Sequence, residues 1–308
     1  MSATSVLPAA TSPWPVLALL LNALVWGLSW WPFRVLQGHG LHPLWATVVV
    51  YGLAALAILA WRPGAAAQIV RQPALWLLAL GSGATNAAFN WAVSIGDVVR
   101  VVLLFYLMPL WSVLLARVVL HEHFTPHTLL RVGLALAGAA IVLKPEGAAW
   151  PLPRGLADWL GLFGGFAFAF NSVMLRRLAP RTQEEGRAVA MLFGCVLVAG
   201  VLASALSAGG VAPWPPALQA GWAWVAVAMA GAFMLSNLAY QYGAARLPAS
   251  VTSVVMLTEV VFASASSIAV GGAAPDGRTL LGALLIVGAA LLAAVGPARW
   301  GRGRRRPG

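Results

Sequence analysis

Charge is what this sequence has least of: 9% of its 308 residues are Asp, Glu, Lys or Arg, against roughly a quarter in a soluble domain. A water-exposed surface over most of the chain is thereby excluded. Cysteine occurs once, as Cys195, so an intramolecular disulfide is excluded and a buried, inert thiol is the reading of that residue. No GxxxxGK[ST] phosphate loop is present, and no linker is long enough to hold a soluble nucleotide domain, which sets aside ATP-driven transport by this chain alone. Zinc chemistry of the HExxH kind is missing too, because His121, Glu122 and His123 stand side by side in a loop and lack the helical i, i+4 spacing that converges on a metal. The serines have no His and Asp at one depth. No catalytic residue, metal site or cofactor is expected.

What fills the chain is apolar: 61% of the residues are hydrophobic, in blocks of about twenty, the length an α-helix needs to cross a bilayer. The blocks predict an all-α integral membrane protein with ten transmembrane helices, near 15–36, 43–61, 73–93, 98–119, 127–143, 156–178, 187–207, 220–243, 247–270 and 278–296. Proline, glycine and charge mark the breaks, as in Trp61-Arg62-Pro63-Gly64 and Ala212-Pro213-Trp214-Pro215-Pro216, where backbone meets water again. The leader MSATSVLPAATSP carries no Lys or Arg, so the first span is expected to be a retained helix and not a cleaved signal.

The net charge of +11 reads as orientation, not as nucleic-acid binding. With the amino terminus in the cytoplasm, Arg34, Arg100, Lys144, Arg154 and Arg278 fall outside and the other fourteen Lys and Arg inside, which follows the positive-inside rule. Both termini are then cytoplasmic, in a cell inner membrane. The basic tail 299–308 lies beside anionic headgroups, an attraction of about 1 kcal/mol per basic residue near the surface.

The chain repeats itself. TLLRVGLALAGAAIVL (128–143) is similar to TLLGALLIVGAALLAAV (279–295), an offset of 151, close to half the length. The same offset sets Met108-Pro109 opposite Glu259-Val260, and WGLSWWPFR (26–34) roughly matches FAFNSVMLR (168–176). Residues 1–147 and 148–298 therefore read as two five-helix repeats. An odd helix count makes the second copy enter from the opposite side, giving inverted repeats with a binding site expected near the midplane between them.

At this point the chain resembles the drug/metabolite transporter superfamily, specifically its ten-helix EamA branch, over nearly its whole length. The residues that carry the resemblance are Trp26-Gly27, the mid-helix Pro109, and HEHFTPHTLLRVGLALAG (121–138), which is similar to the family's Gly-Glu followed by a glycine-punctuated fifth helix. His121 stands where glycine is usual, and GGAAPDG (271–277) lacks the matching glutamate; Glu122 is accordingly read as a solvated loop residue. The resemblance implies a carrier of small metabolites, amino acids or toxic compounds, mostly outward, by alternating access.

The stretch VTSVVMLTEVVFASASS (251–267) puts Glu259 near the middle of the ninth span, where an acidic residue costs about 2.5–3.5 kcal/mol. No Arg shares its level in straight helices, so a proton is the expected neutraliser. Glu259 is either a proton-coupling group, a protonated hydrogen-bond donor that holds helices together, or a substrate contact. Pro109 frees the carbonyl of Phe105 at a nearly repeat-equivalent position. Asn22, Trp26 and Trp30 recur at i, i+4 and i+8 on the first helix, Asn86 and Asn90 lie on the third, and Asn171 and Asn237 offer a comparable pair in the second half. Amides among aromatic rings suit a small amphipathic solute. Arg34 at an outer vestibule and Tyr240 toward the inner end are candidates for a vestibule or gate. Trp14, Trp45, Trp61, Trp76 and Trp150 read as interfacial belts.

The sequence thus predicts a secondary active transporter, an exporter of a small molecule such as an amino acid or related amphipathic compound, with protons as candidate coupling ions and the lipid bilayer as solvent. A non-transporting receptor or scaffold and an uptake carrier are the alternatives. Glycine faces such as Gly161, Gly164 and Gly165 leave the oligomeric state undetermined.

Overall fold

The computed structural model describes residues 12–96, 98–123, 125–144, 147, 152–270 and 277–295. The basic tail 299–308, Trp150, most of GGAAPDG and the division at 147/148, of which only Gly147 is described, lie outside those residues. Among the described residues the chain is all helical: α1 (Trp14–Leu28), α2 (Trp30–Gly38), α3 (Pro43–Trp61), α4 (Gly64–Arg71), α5 (Leu75–Ile95), α6 (Val98–Phe105), α7 (Met108–Val119), α8 (Pro126–Leu143), α9 (Leu156–Leu178), α10 (Glu184–Ala208), α11 (Ala220–Arg246), α12 (Ala249–Met256), α13 (Thr258–Ala269) and α14 (Gly277–Val295), with a short 3-10 turn at Ala179–Arg181.

Eight of the helical segments, some of them pairs such as α1 with α2, are long and apolar enough to cross a membrane. α5 is long enough, at 21 residues, but Ser82, Thr85, Asn86 and Asn90 dilute its hydropathy. α14 has 19 residues, of which 17 form a shorter apolar helix. The segment after Trp61, expected as a plain break, forms the additional helix α4, which buries Ala65 and Ile69 and packs on α10.

Local chemistry sets the helix starts. His42 Nδ1 accepts the Leu44 N–H at 3.3 Å ahead of Pro43, and Thr125 Oγ1 accepts the Thr128 N–H at 3.1 Å ahead of Pro126, each joining a side-chain cap to a proline at the first helical position. Burial pushes the His42 imidazole below its ordinary pKa, which suits a ring nitrogen that must keep its lone pair.

Besides the α1–α2 pair, interrupted at Ser29, two of the long apolar spans are broken near the middle. The span ending in Val119 stops at Phe105 and restarts at Met108, while the span from Ala249 stops at Met256 and restarts at Thr258. Pro109 accounts for the first break, because it cannot donate to the Phe105 carbonyl. That carbonyl instead faces Gly165 of α9, where a Cβ would collide with it, and the Val101 carbonyl likewise lies 2.9 Å from a Cβ built on Gly161. The glycine face of α9 is therefore spent on close packing within the chain. At the second break Thr258 Oγ1 donates to the Val255 carbonyl at 2.7 Å, a hydroxyl competing with the helix ladder for one of its acceptors.

Packing runs through and between the halves. α5 packs on α9 and α10, α11 on α1 and α3, α7 on α9 and α12, α13 on α1, α3 on α10, and α8 on α14. The last pair meets at Gly138 and Gly282, where a Cβ on either would sit within 2.7 Å of the other's carbonyl; small residues let helices approach where lipid supplies no hydrophobic drive. Leucines such as Leu284 and Leu291 are exposed on the outside of that pair. Of the expected belt residues, Trp14, Trp61 and Trp76 are exposed at helix ends. Trp45 turns inward, its ring 5.8 Å from Trp214 and its Nε1 donating to Ser207 at 3.2 Å.

Candidate functional site

Between the halves lies a cavity of about 80 Å³, room for a few waters. All the long helices contribute to it except α8 and α14. α1 supplies Asn22 and Trp26, α3 Tyr51, α5 Ser82, Thr85, Asn86 and Phe89, and the first broken span Phe105, Tyr106 and Met108. From the second half come Phe168 and Asn171 on α9, Met191 on α10, Phe233, Ser236, Asn237 and Tyr240 on α11, and Met256 and Glu259 at the second break. Both helix breaks thus open onto the same space, the arrangement in which discontinuous helices expose backbone to a binding site.

Most of the polar groups are already engaged. Asn22 Nδ2 donates to the Ser236 carbonyl at 2.9 Å and to its hydroxyl at 2.5 Å. Tyr51 donates to Asn86 Oδ1 at 2.9 Å, and Asn86 Nδ2 to the Ser82 carbonyl at 3.0 Å. Tyr240 shares a 2.7 Å bond with Ser172 and also reaches the Asn171 side chain. Two acceptors stand apart. Asn171 Oδ1 is buried with no hydrogen-bond partner, and the Glu259 carboxyl makes no hydrogen bond or ion pair among the described residues. Rings close the rest: Trp26 meets Phe233 edge-on at 4.9 Å, and Phe89 and Phe168 flank Phe105 at 4.9 and 6.1 Å.

Seven of the sequence candidates therefore share one cavity: Asn22, Trp26, Asn86, Asn171, Asn237, Tyr240 and Glu259. Four do not line it. The break at Ser29 takes Trp30 off the face of Asn22 and Trp26, and its Nε1 donates to Ser266 at 3.0 Å. Arg34 lies over the Trp30 ring at 5.2 Å. Asn90 Nδ2 donates to Thr47 at 2.5 Å in a buried interhelical bond. Pro109 is buried next to the lining residue Met108. The lining that the sequence reading missed consists chiefly of Tyr51, Ser82, Thr85, Ser236 and the phenylalanines; hydroxyls and rings are too common in spans to single out, though Ser82, Asn86 and Phe89 keep helical i, i+4, i+7 spacing.

From the cavity a polar line leads to one end of the bundle. Gln241 Nε2 donates to Asn237 Oδ1 at 2.8 Å, and Arg187 Nε to Gln241 Oε1 at 3.2 Å. Arg187, only 2% exposed, also donates to the Thr182 carbonyl at 2.6 Å and lies 3.9 Å from Glu184. At the same end Arg62 pairs with Glu185 at 3.7 Å and Arg246 with Glu184 at 3.4 Å. Glu122, expected in solvent, is instead largely buried and ion-paired with Arg176 of α9. Burial pushes its carboxyl above the ordinary value while the Arg176 guanidinium pulls the other way. The preceding His121 has a φ of +56°, a conformation that favours glycine. Toward the other end Arg100 pairs with Asp158 at 2.5 Å. Among the described residues no three His, Cys, Asp or Glu side chains gather to hold a metal ion.

A space between two halves, walled largely by apolar surface and carrying amides, hydroxyls and one carboxyl, suits a small solute. Comparison with known proteins agrees. Among curated proteins none matches this chain in sequence. A solved crystal structure, described only as that of a protein, is 19% identical and superposes with a TM-score of 0.71 over 91% of this chain and 96% of its own, which establishes the fold alone. The EamA-like transporter family matches twice, over residues 13–144 and 155–295. The chain is thus a multi-pass membrane protein built of two EamA repeats, and it belongs to the EamA-like transporter family.

Proposed function

We propose that this protein is a secondary carrier that exports a small metabolite across the cell inner membrane by alternating access. Its ten spans form two inverted five-helix repeats, both termini are cytoplasmic, and protons at Glu259 couple the cycle. The observation that carries this reading is the cavity itself, lined from both repeats and holding among the described residues a single carboxyl, Glu259, with no partner among them.

The packing supports the inverted arrangement. The contact of α5 with α9 has its counterpart in that of α11 with α1, α10 on α5 corresponds to α3 on α11, and α7 on α9 to α13 on α1. The pairs α8–α14 and α3–α10 are equivalents meeting each other, as elements beside a pseudo-two-fold axis do. The two helix breaks also agree with the repeat, Leu107 and Leu257 being 150 residues apart. Alternating access then amounts to one bundle rocking against the other around the cavity. The Arg187, Glu184, Arg246, Arg62 and Glu185 cluster lies at the end that the positive-inside bias assigns to the cytoplasm.

The test is an untargeted profile of metabolites released by cells expressing wild type or Glu259→Gln at matched membrane levels. Release of a compound by wild type alone supports export that depends on Glu259. Equal release by both removes the coupling role, and release by neither removes the exporter reading.

A further inference from the structure

We propose that the cavity selects protonated amines, compounds with an ammonium group on a small apolar body, and that such a substrate and a proton occupy Glu259 in turn. This deepens the carrier reading and rests on it.

The charge inventory of the cavity carries the inference. Of its described lining residues Glu259 is the one acid, and no Lys, Arg or His is among them. The buried cation Arg187 stands behind Gln241 and is engaged by that side chain and by the Thr182 and Ala179 carbonyls. A carboxylate-bearing solute would therefore add a second negative charge to a site without a positive one, at the steep cost of an unpaired charge in apolar surroundings. An ammonium supplies what is missing. It gives Glu259 a counter-ion, and its N–H groups match the second idle acceptor, Asn171 Oδ1, which is buried on a residue 4% exposed and has no partner. The walls suit the same guest, since Trp26, Phe233, Phe105 and Phe168 present rings whose faces attract cations and whose edges pack an apolar body.

Exchange with a proton follows from the same geometry. With no cation beside it among the described residues, the Glu259 carboxyl is neutralised either by a proton or by a guest cation. The elements packed on α13 add no competing charge: α1 and α12 contain no titratable side chain, and Arg278 at the start of α14 is held by the Ile141 and Lys144 carbonyls. Across the cavity the titratable neighbours are the tyrosines Tyr106, Tyr51 and Tyr240.

The experiment uses the full-length protein in lipid nanodiscs, titrated calorimetrically with benzylamine, benzyl alcohol, benzoate and phenylglycine in buffers of different ionisation enthalpy. Benzylamine is expected to bind about tenfold or more tightly than the other three, a difference of about 1.4 kcal/mol per factor of ten, and to release a proton. Where the carboxyl is protonated, one-for-one exchange weakens its binding about tenfold for each unit fall in pH. Glu259→Gln should lose both the proton release and the preference, while Glu259→Asp, which keeps the charge, retains them in part and controls for folding. Equal or tighter binding of benzoate or phenylglycine, failure of benzylamine to bind, or undiminished benzylamine binding by Glu259→Gln each overturns the inference. The metabolite-release profile separates the two levels: release of a neutral or acidic compound by wild type leaves the carrier reading standing without amine selectivity, and release of nothing removes both.

Discussion

Gly27 on α1 lies directly against the backbone of Glu259 on α13: a Cβ at position 27 would come within 2.8 Å of the Glu259 carbonyl oxygen and 2.7 Å of the Phe262 Cβ. Neither atom is the end of a flexible side chain, so any larger residue must push the two helices apart, and with them the cavity's one carboxylate. Gly27→Ala should lower the melting temperature of the detergent-solubilised protein, at the overpacking cost of about 1–3 kcal/mol, and reduce transport. Gly288→Ala on α14, where no atom lies within 4 Å, is the control, expected to be neutral or to stabilise by up to about 1 kcal/mol. Equal effects of the two would show that the α1–α13 contact is not what Gly27 serves.

Arg187 is the second sensitive point. Arg187→Met strands Gln241 Oε1 and the Thr182 carbonyl, and breaking a buried charged network costs about 3–5 kcal/mol. Arg187→Lys should recover only part of this, because an ammonium lacks the forked, planar set of donors that reaches both partners. Arg246, whose side chain is 43% exposed, should tolerate Met within about 0.5 kcal/mol. Melting curves of the three variants check the ranking.

Eight spans were legible because lipid demands about twenty apolar residues per crossing; α5 and α14 fall short of that pattern. α4 was not legible, since eight residues of mixed polarity leave too short a pattern. Pro109 announced the first helix break. The break at Leu257 has no proline or glycine to announce it; it involves the Thr258 hydroxyl, one of many in the spans. The cavity was legible as polar residues at shared depth, which is why Asn22, Asn86, Asn171, Asn237 and Glu259 converge on it. Which face each residue takes depends on helix phase, and the interruption at Ser29 shifts that phase between Trp26 and Trp30. The family's usual glycine before Glu122 also acquires a reason, because His121 occupies the left-handed backbone conformation that glycine adopts without strain.

Glu122 makes stability depend on pH with a definite sign. Burial raises its carboxyl above the ordinary value despite Arg176, so the folded chain binds the proton more tightly than the unfolded one. The stabilisation is complete below the ordinary carboxylate range and is lost as pH rises through the raised folded value. Wild type should therefore lose part of its melting temperature as pH rises above the ordinary carboxylate range on account of this residue, and Glu122→Gln should show a flatter profile there. An unchanged slope in the variant would mean that the ion pair with Arg176 outweighs burial.

The sharpest test of the architecture concerns α5, the helix that supplies Asn86 to the cavity and is too polar to count as a span by hydropathy. If the ten-span reading holds, α5 crosses the bilayer and its two ends face opposite compartments. Cys195 must first be replaced; it is buried, 3.2 Å from the Ser82 hydroxyl, so Cys195→Ser is the conservative choice. Single cysteines introduced at Arg71 and at Ile95, both exposed, should then react with a membrane-impermeant maleimide from opposite sides, Arg71→Cys only in inverted vesicles and Ile95→Cys only in intact cells. The polarity of α5 is no obstacle to crossing, because Ser82, Thr85 and Asn86 face the protein interior and the lipid sees Leu77 and Leu80 instead. Labelling of both cysteines from the same side would make α5 a re-entrant or interfacial helix, and the inverted symmetry inferred from the packing would fall with it.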